Sequence, residues 1–343
     1  MKFLDLFAGI GGFRFGLESA GHECIGFCEK DRFARESYKA IHDTEGEIEF
    51  HDITKVTNEQ WRELRGKVDV VTAGFPCQAF STAGKRGGFN DTRGTLFFEI
   101  ARATKEIQPP ILLLENVKTL FSHDGGKTFG VIIQTLDELG YITEWSLFNS
   151  QNWGVPQNRK RVFIVAVRKD LFKEPILFDL NKKEETNRTT VKLKDILEQN
   201  VNESFDIADN LANSLIIKSD KDGLYIKEAT KQGYALAKEG DSVSLQYSNS
   251  KTRRGRVGNK LASTLQTGAN GQGIVYLNKN TELKIRRLIE IECWRLQGFS
   301  DSAFEKAKEV NSSTQLYKQA GNSVTINIVK AIAEKLVIVG QED

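Results

Sequence analysis

Residues 68–78 read Val-Asp-Val-Val-Thr-Ala-Gly-Phe-Pro-Cys-Gln, an apolar, β-branched run cut short by a Pro-Cys step. That places the thiol of Cys77 on a stiff turn at the carboxyl end of an expected buried strand. A second run, Ile-Leu-Leu-Leu at 111–114, ends in Glu115-Asn116-Val117. A nucleophile and a carboxyl group on adjacent strand ends suit covalent chemistry on a ligand held in the crevice above an α/β sheet. Following Pro76 on a polar loop, Cys77 reads as a reactive thiol rather than as core filling. Further along, Arg159 and Arg161 alternate, so on an extended segment both face one side with Lys160 opposite.

The elements that must position these groups follow from periodicity. Apolar runs at 3–7, 23–28, 48–50, 68–72, 111–114 and 162–167 read as strands, and helical spacing covers 13–20, 32–41, 94–107 and 130–139. This alternation predicts βαβ units and a parallel sheet. Pro109-Pro110 separates the third helix from the strand that follows it. Residues 181–188 form a charged link of low hydrophobicity, and the stretch beyond is weakly patterned and rich in Ser, Asn, Lys and Gly. Helical spacing returns at 282–296 and 326–337. The chain's 343 residues are enough for about two domains. The expected architecture is a Rossmann-like α/β domain over 1–185, an inserted strand- and loop-rich domain over 186–281, and a hinge and carboxyl-terminal helix over 282–343 that returns to the first domain.

Charge is nearly balanced, with 48 Lys and Arg against 46 Asp and Glu, so any basic surface must be local. Four cysteines in a chain of this size give no disulfide framework. Cys24 and Cys28 lack a second ligand pair to complete a zinc site and read as strand core, so no metal is expected. No apolar stretch reaches the ~18 residues of a membrane span, and the amino terminus opens directly into a strand. The expected setting is the cytoplasm, with no membrane partner, and the expected state is a monomer.

Asp-Leu-Phe-Ala-Gly-Ile-Gly-Gly at 5–12 joins the first strand to the first helix. Glycines there allow a tight turn and close approach of backbone to a ligand. Gly9 and Gly11 match the start of a dinucleotide fingerprint but Arg14 holds its third position, so a plain turn and a ligand loop both stay open. Two acids tip the balance. Glu29 follows the second strand, where a carboxylate can accept hydrogen bonds from both ribose hydroxyls; Asp52 follows the third, where an acid can hold an exocyclic adenine amine. With no Lys or Arg in the loop to meet phosphates, the pattern suits an adenosine-like, positively charged ligand, and S-adenosylmethionine fits.

Five further motifs complete a set: Gly-Phe-Pro-Cys-Gln at 74–78, Glu-Asn-Val at 115–117, Gln-Asn-Arg-Lys-Arg-Val at 157–162, Arg-Leu-Gln-Gly-Phe at 295–299 and Gly-Asn-Ser-Val at 321–324. With the glycine loop they resemble, in order and spacing, the DNA (cytosine-5)-methyltransferases of bacterial and phage restriction-modification systems. The likeness covers 1–168 and 285 to the end. It implies S-adenosylmethionine contacts from Phe7, Ala8, Gly9, Gly11 and Gly12, from Glu29 and Lys30, from Asp52 and Ile53, and from Phe75, Leu96, Asn322 and Ser323. Lys30 departs from members that carry an aromatic residue beside the ribose-binding acid. The resemblance also implies that Cys77 adds to carbon 6 of a cytosine flipped out of duplex DNA, which makes carbon 5 nucleophilic toward the sulfonium methyl. Glu115 would bind ring nitrogen 3 and the exocyclic amine, and Arg159 and Arg161 would divide between holding the carbonyl oxygen, assigned to Arg161, and positioning Cys77 or Glu115. The stretch 78–88 reads as a lid, with Ser81 and Lys85 suited to phosphates.

The insert would read the DNA site. No acidic residue occurs from 242 to 281, while Lys251, Arg253, Arg254, Arg256, Lys260 and Lys279 supply positive charge. Arg253, Arg254 and Arg256 are candidate DNA contacts, Arg254 as a base reader, and the resemblance adds Thr264-Leu265. The recognised sequence is not derivable, and a partner restriction endonuclease is an expectation only. Structured RNA as substrate and a catalytically inactive DNA-binding regulator stay open as alternatives; the glycine spacing disfavours a nicotinamide dehydrogenase.

Overall fold

The structure, a computed structural model, describes residues 1–76, 96–186, 190–269 and 271–336. The chain divides into two compact units: the first is Met1–Asn149, Lys160–Asn187 and Val324–Asp343, the second Ser150–Arg159 and Arg188–Ser323.

In the first unit, strands β1 (Lys2–Leu6), β2 (Glu23–Cys28), β3 (Ile48–Phe50), β4 (Val70–Gly74), β5 (Ile111–Val117) and β6 (Tyr141–Asn149) precede β7 (Gln157–Asn158), which belongs to the second unit, and β8 (Lys160–Arg168). The seven strands of the first unit form one sheet, ordered β3-β2-β1-β4-β5-β8-β6. Between them lie α1 (Gly12–Glu18), α2 (Arg32–Ile41), α3 (Asn58–Arg62), α4 (Leu96–Ile107) and α5 (Lys127–Glu138), and α6 (Phe178–Thr186) follows β8. Period-2 burial builds the core: Leu4, Leu6, Val71, Ala73, Leu112, Leu114, Val162, Ile164 and Ala166 all face one cluster with Trp61, Ile100 and Ile132. Asp31 starts α2 by accepting the Phe33 and Ala34 N–H groups at 2.9 and 3.3 Å.

The sheet is Rossmann-like but not wholly parallel. β8 runs antiparallel to both β5 and β6. The sequence reading placed no strand at 141–149, because this edge strand is only partly buried and shows no sustained apolar run. Its open edge is covered where Glu144 accepts the N–H groups of Ile176 and Leu177 at 2.6 and 2.8 Å.

The second unit holds α7 (Asp209–Leu215) and strands β9 (Ile216–Asp220), β10 (Gly223–Lys227), β11 (Tyr234–Ala237), β12 (Ser242–Ser244), β13 (Val257–Gly258), β14 (Ala262–Ser263), β15 (Gln272–Leu277) and β16 (Leu283–Arg287). They form sheets ordered β11-β10-β9, β13-β12-β15-β16 and β14-β7. Helices α8 (Glu290–Arg295), α9 (Asp301–Val310) and α10 (Ser313–Asn322) follow. The helix expected over 282–296 begins only at Glu290, because β16 pairs with β15 and buries Ile285 beside Leu224, Val243 and Val275. The last helix, α11 (Ile326–Ala333), belongs to the first unit and packs so tightly on α1 that a Cβ at Gly16 would lie 2.4 Å from Val329 Cγ1.

Candidate active site

At the carboxyl end of β1 the chain turns through Phe7 at φ 55°, Gly9 at 58° and Gly11 at 84°. Holding Phe7 there costs ~1–2 kcal/mol. A Cβ at Gly9 would meet nothing within 4 Å, so its backbone face is open. Glu29, just past β2, braces this loop: Oε2 accepts the Gly9 N–H at 2.8 Å and Oε1 accepts the Asp31 N–H at 2.7 Å. Burial pushes its pKa above the ordinary glutamate value, against the pull of those donors. Each carboxylate oxygen keeps a second lone pair, the requirement for gripping two neighbouring hydroxyls. The donor set of a ribose therefore fits this cradle.

Asp52 sits past β3. Its Oδ1 accepts from the Thr54 N–H at 3.0 Å and hydroxyl at 2.8 Å, and Lys30 Nζ lies 2.9 Å from Oδ2. Lys30 and then Thr54 pull its pKa down to about 2, so this carboxylate stays an acceptor at any physiological pH. Arg35 pins the intervening turn, donating to the carbonyls of Glu29 and Lys30 at 2.9 and 2.8 Å. Ile53, Ala8 and Phe75 are buried, while Leu96 and Phe7 are half-buried. Arg35 escaped the sequence reading, since one Arg on a helix carries no signal of what it reaches. Asp5 was read only as the first letter of a motif. It is wholly buried, takes a 2.8 Å hydrogen bond from the Thr72 hydroxyl, and burial raises its pKa to about 8.

Strand register sets the candidate reacting groups. Gly74 pairs with Glu115 across β4 and β5. Glu115 pairs with Phe163, and Val117 with Arg161, across β5 and β8. Arg161 is thus diagonal to Glu115 on one sheet face, within reach of a long side chain. Its Nε lies 3.0 Å from Glu115 Oε1, with the two side chains 14% and 12% exposed. Asn116 Nδ2 donates to the Phe75 carbonyl at 2.8 Å and ties the ends of β4 and β5 together. Cys77, Ser81 and Lys85 lie outside the described residues. The other three cysteines are buried. Burial pushes the Cys24 and Cys28 thiols up to about 12 and Cys293 well above its usual range, so none of these yields a thiolate at neutral pH.

In the second unit, the Gln-Asn-Arg motif is a hub that joins segments far apart in sequence. The Gln157 side chain donates to the Leu296 carbonyl at 2.8 Å and accepts the Leu265 N–H at 3.0 Å. The Thr264 hydroxyl donates to the Asn158 carbonyl at 2.8 Å, and Leu265 is buried. Arg159 is 2% exposed; its Nη2 donates to the carbonyls of Gly321 and Ser323 at 3.2 and 2.8 Å, fixing the end of α10 on either side of the exposed Asn322. Gly321 must be glycine, because a Cβ there would lie 2.5 Å from the Gln266 carbonyl oxygen. Arg254 is exposed, with Nε on the Ala229 carbonyl at 2.9 Å, and Arg253 reaches the Ser244 hydroxyl at 3.0 Å. Arg256 is 1% exposed; its two Nη groups donate to backbone carbonyls of residues 244–248, while its buried Nε meets no acceptor among the described residues.

Among the described residues no group of three or more His, Cys, Asp or Glu is placed to hold a metal ion, and no helix is long and apolar enough to cross a membrane.

Comparison with known proteins bears on this arrangement. The model of one protein family, C-5 cytosine-specific DNA methylase, matches residues 1–337. The type II methyltransferase M.HhaI of Haemophilus parahaemolyticus is 36% identical, over 97% of this chain and 93% of that protein. The orphan methyltransferase M.SPRI of Bacillus phage SPR is 30% identical, over 98% and 97%. Among solved structures, the Dnmt2 methyltransferase of S. pombe shares the fold with a TM-score of 0.69 at 19% identity, covering 97% of each chain.

Proposed function

This chain belongs to the C-5 cytosine-specific DNA methylase family, and we propose that it methylates cytosine within one short duplex site, with Cys77 as nucleophile and Glu115 as its acid partner. The family's activity is S-adenosylmethionine-dependent methyl transfer to carbon 5 of DNA cytosine. The observation that carries the residue assignment is the Glu115–Arg161 pair, set by register beside the strand that leads into Phe75-Pro76-Cys77.

The steps follow from these groups. The target base leaves the stack, at a cost of a few kcal/mol that pocket contacts offset. The Cys77 thiolate forms a bond to carbon 6 while the Glu115 carboxyl gives its proton to ring nitrogen 3, so the added electron pair rests as an enamine with carbon 5 nucleophilic. Arg161 keeps Glu115 oriented and offers its remaining N–H groups to the carbonyl oxygen. S-adenosylmethionine, when bound, supplies an electrophilic methyl group on a sulfonium. A base then takes the carbon 5 proton, nitrogen 3 returns its proton to Glu115, and the carbon–sulfur bond breaks to release Cys77 as thiolate. Elimination among the thiols supports Cys77, since the other three are held protonated by burial.

Glu29 would grip the ribose and Asp52 the adenine amine, with Phe7, Ala8, Gly9, Gly11, Gly12, Lys30, Ile53, Phe75 and Leu96 completing the first unit's cofactor contacts. Arg159 acts as a positioning residue for the Asn322-Ser323 segment. The insert reads DNA through Arg253 and Arg254, with Arg256 and Thr264-Leu265 shaping the loops and Ser81 and Lys85 on phosphates. The natural role is protection of DNA from a partner restriction endonuclease. Cys77→Ser should abolish methyl transfer and covalent trapping on 5-fluorocytosine duplex while duplex binding persists; methylation at the parent rate would refute the nucleophile. Bisulfite sequencing of plasmid from expressing cells reads out the site.

A further inference from the structure

The second unit contains a loop closed around a buried arginine. Arg256 is 1% exposed, yet its guanidinium faces no carboxylate: Nη1 donates to the carbonyls of Ser244 and Gln246 at 3.4 and 2.8 Å, and Nη2 to those of Tyr247 and Ser248 at 2.6 and 3.4 Å. A buried cation costs free energy unless its donors are met; here the inner backbone of one loop meets both Nη groups, and among the described residues Nε alone has no acceptor. Glu228 fixes the other side, accepting the Arg256 N–H at 2.6 Å, and the Ala229 N–H donates to the Arg253 carbonyl at 2.8 Å.

On this platform stands Tyr247. Its φ is 52°, a region where glycine or asparagine is the ordinary choice. The residue is 73% exposed, and among the described residues its ring and hydroxyl have no hydrogen-bond, stacking or cation partner. A bulky aromatic at a strained position, facing solvent on a rigidly clamped loop, is unfavourable for the isolated chain. The surroundings indicate what it meets. Lys251, Arg253 and Arg254 follow within seven residues, and no acid lies between 242 and 281, so the flanks complement a polyanion while the ring itself is neutral.

Resting on the DNA reading above, we propose that Tyr247 is a specificity-determining residue whose ring, presented by the Arg256 clamp, makes apolar contact with base edges in a groove of the recognised duplex. The phosphates are left to the neighbouring cations, so the ring contributes affinity that does not depend on salt.

Tyr247→Gly separates this role from folding, because glycine relieves the positive φ and leaves the backbone carbonyls on Arg256. Fluorescence anisotropy would compare duplexes with and without the methylated site over a salt series, beside thermal melting and S-adenosylhomocysteine binding. The expected result is binding weaker by about ten-fold on the site duplex and unchanged on the duplex without the site, with an unchanged salt slope, a melting temperature no lower than the parent's and unaltered cofactor binding. Tyr247→Phe should keep parental affinity. Unchanged affinity in Tyr247→Gly overturns the proposal, as does a shallower salt slope, which would mark a phosphate contact, or a Phe variant as weak as the Gly variant. A parent protein that binds no duplex refutes both this inference and the DNA reading.

Discussion

Replacing Glu29 by Gln tests the cofactor cradle with the least change of shape. The parent carboxylate accepts two backbone N–H groups at once, from Gly9 at 2.8 Å and from Asp31 at 2.7 Å. Glutamine offers one acceptor oxygen, so whichever way the amide turns, its NH2 group opposes one of those donors. A hydrogen bond to a charged group contributes ~1.5–3 kcal/mol. That clash is present with and without cofactor and lowers fold stability; the Kd responds to the bond lost to a ribose hydroxyl, about 1.5–3 kcal/mol, which corresponds to binding weaker by roughly 10- to 140-fold. Isothermal titration with S-adenosylmethionine and S-adenosylhomocysteine measures this directly. A pH series adds a second reading. Burial raises the Glu29 pKa above its ordinary 4.5, and on the proposed assignment the ionised form is the one that would accept from the ribose hydroxyls. Parent binding should therefore decline as pH falls through that raised value, and the Gln variant should show no such decline. Fold stability has the opposite sign: the contribution from a raised carboxyl is fully present below the unfolded pKa and is lost as pH rises through the folded one. An unchanged Kd, or the same acid decline in the Gln variant, would refute the cradle.

Two further perturbations probe the charged pairs. Arg161→Met leaves Glu115 without the cation 3.0 Å away; for side chains 14% and 12% exposed the penalty should lie between the ~0.2–1 kcal/mol of surface pairs and the ~3–5 kcal/mol of buried ones. Single-turnover methyl transfer should slow while cofactor Kd holds, and an unaltered rate would contradict the assignment. Glu292→Gln breaks the bidentate pair with Arg286, at 2.9 and 2.7 Å with side chains 0% and 6% exposed. Urea unfolding should show a loss of about 3–5 kcal/mol, and a shift under ~1 kcal/mol would show that the pair is dispensable.

Local chemistry was readable along the chain wherever a short segment acts alone. The run at 111–114 is continuous and apolar because its strand is covered on both faces, and the β-branched residues of 70–72 lead to Gly74, where β4 stops. The Glu29 and Asp52 positions follow from the same rule, since groups just past parallel strands face the crevice. Helix α2 spans Arg32–Ile41, the range its spacing predicted, because Asp31 caps it and its apolar stripe is unbroken. The failures share one cause. β6, the reversal of β8 and the strand in place of a helix at Leu283–Arg287 all depend on which distant backbone is on hand to pair. No local period encodes that. Arg256 looked like one more surface cation in a basic run and is buried, because the carbonyls it satisfies converge only when the loop closes. Arg159 reaches Ser323 across 164 positions, and Gln157 reaches Leu296 across 139. Residue types named the candidate groups; folding alone brought together the partners that hold Gln157 and Arg159, since hydrogen bonds over such separations exist only after the chain has closed on itself.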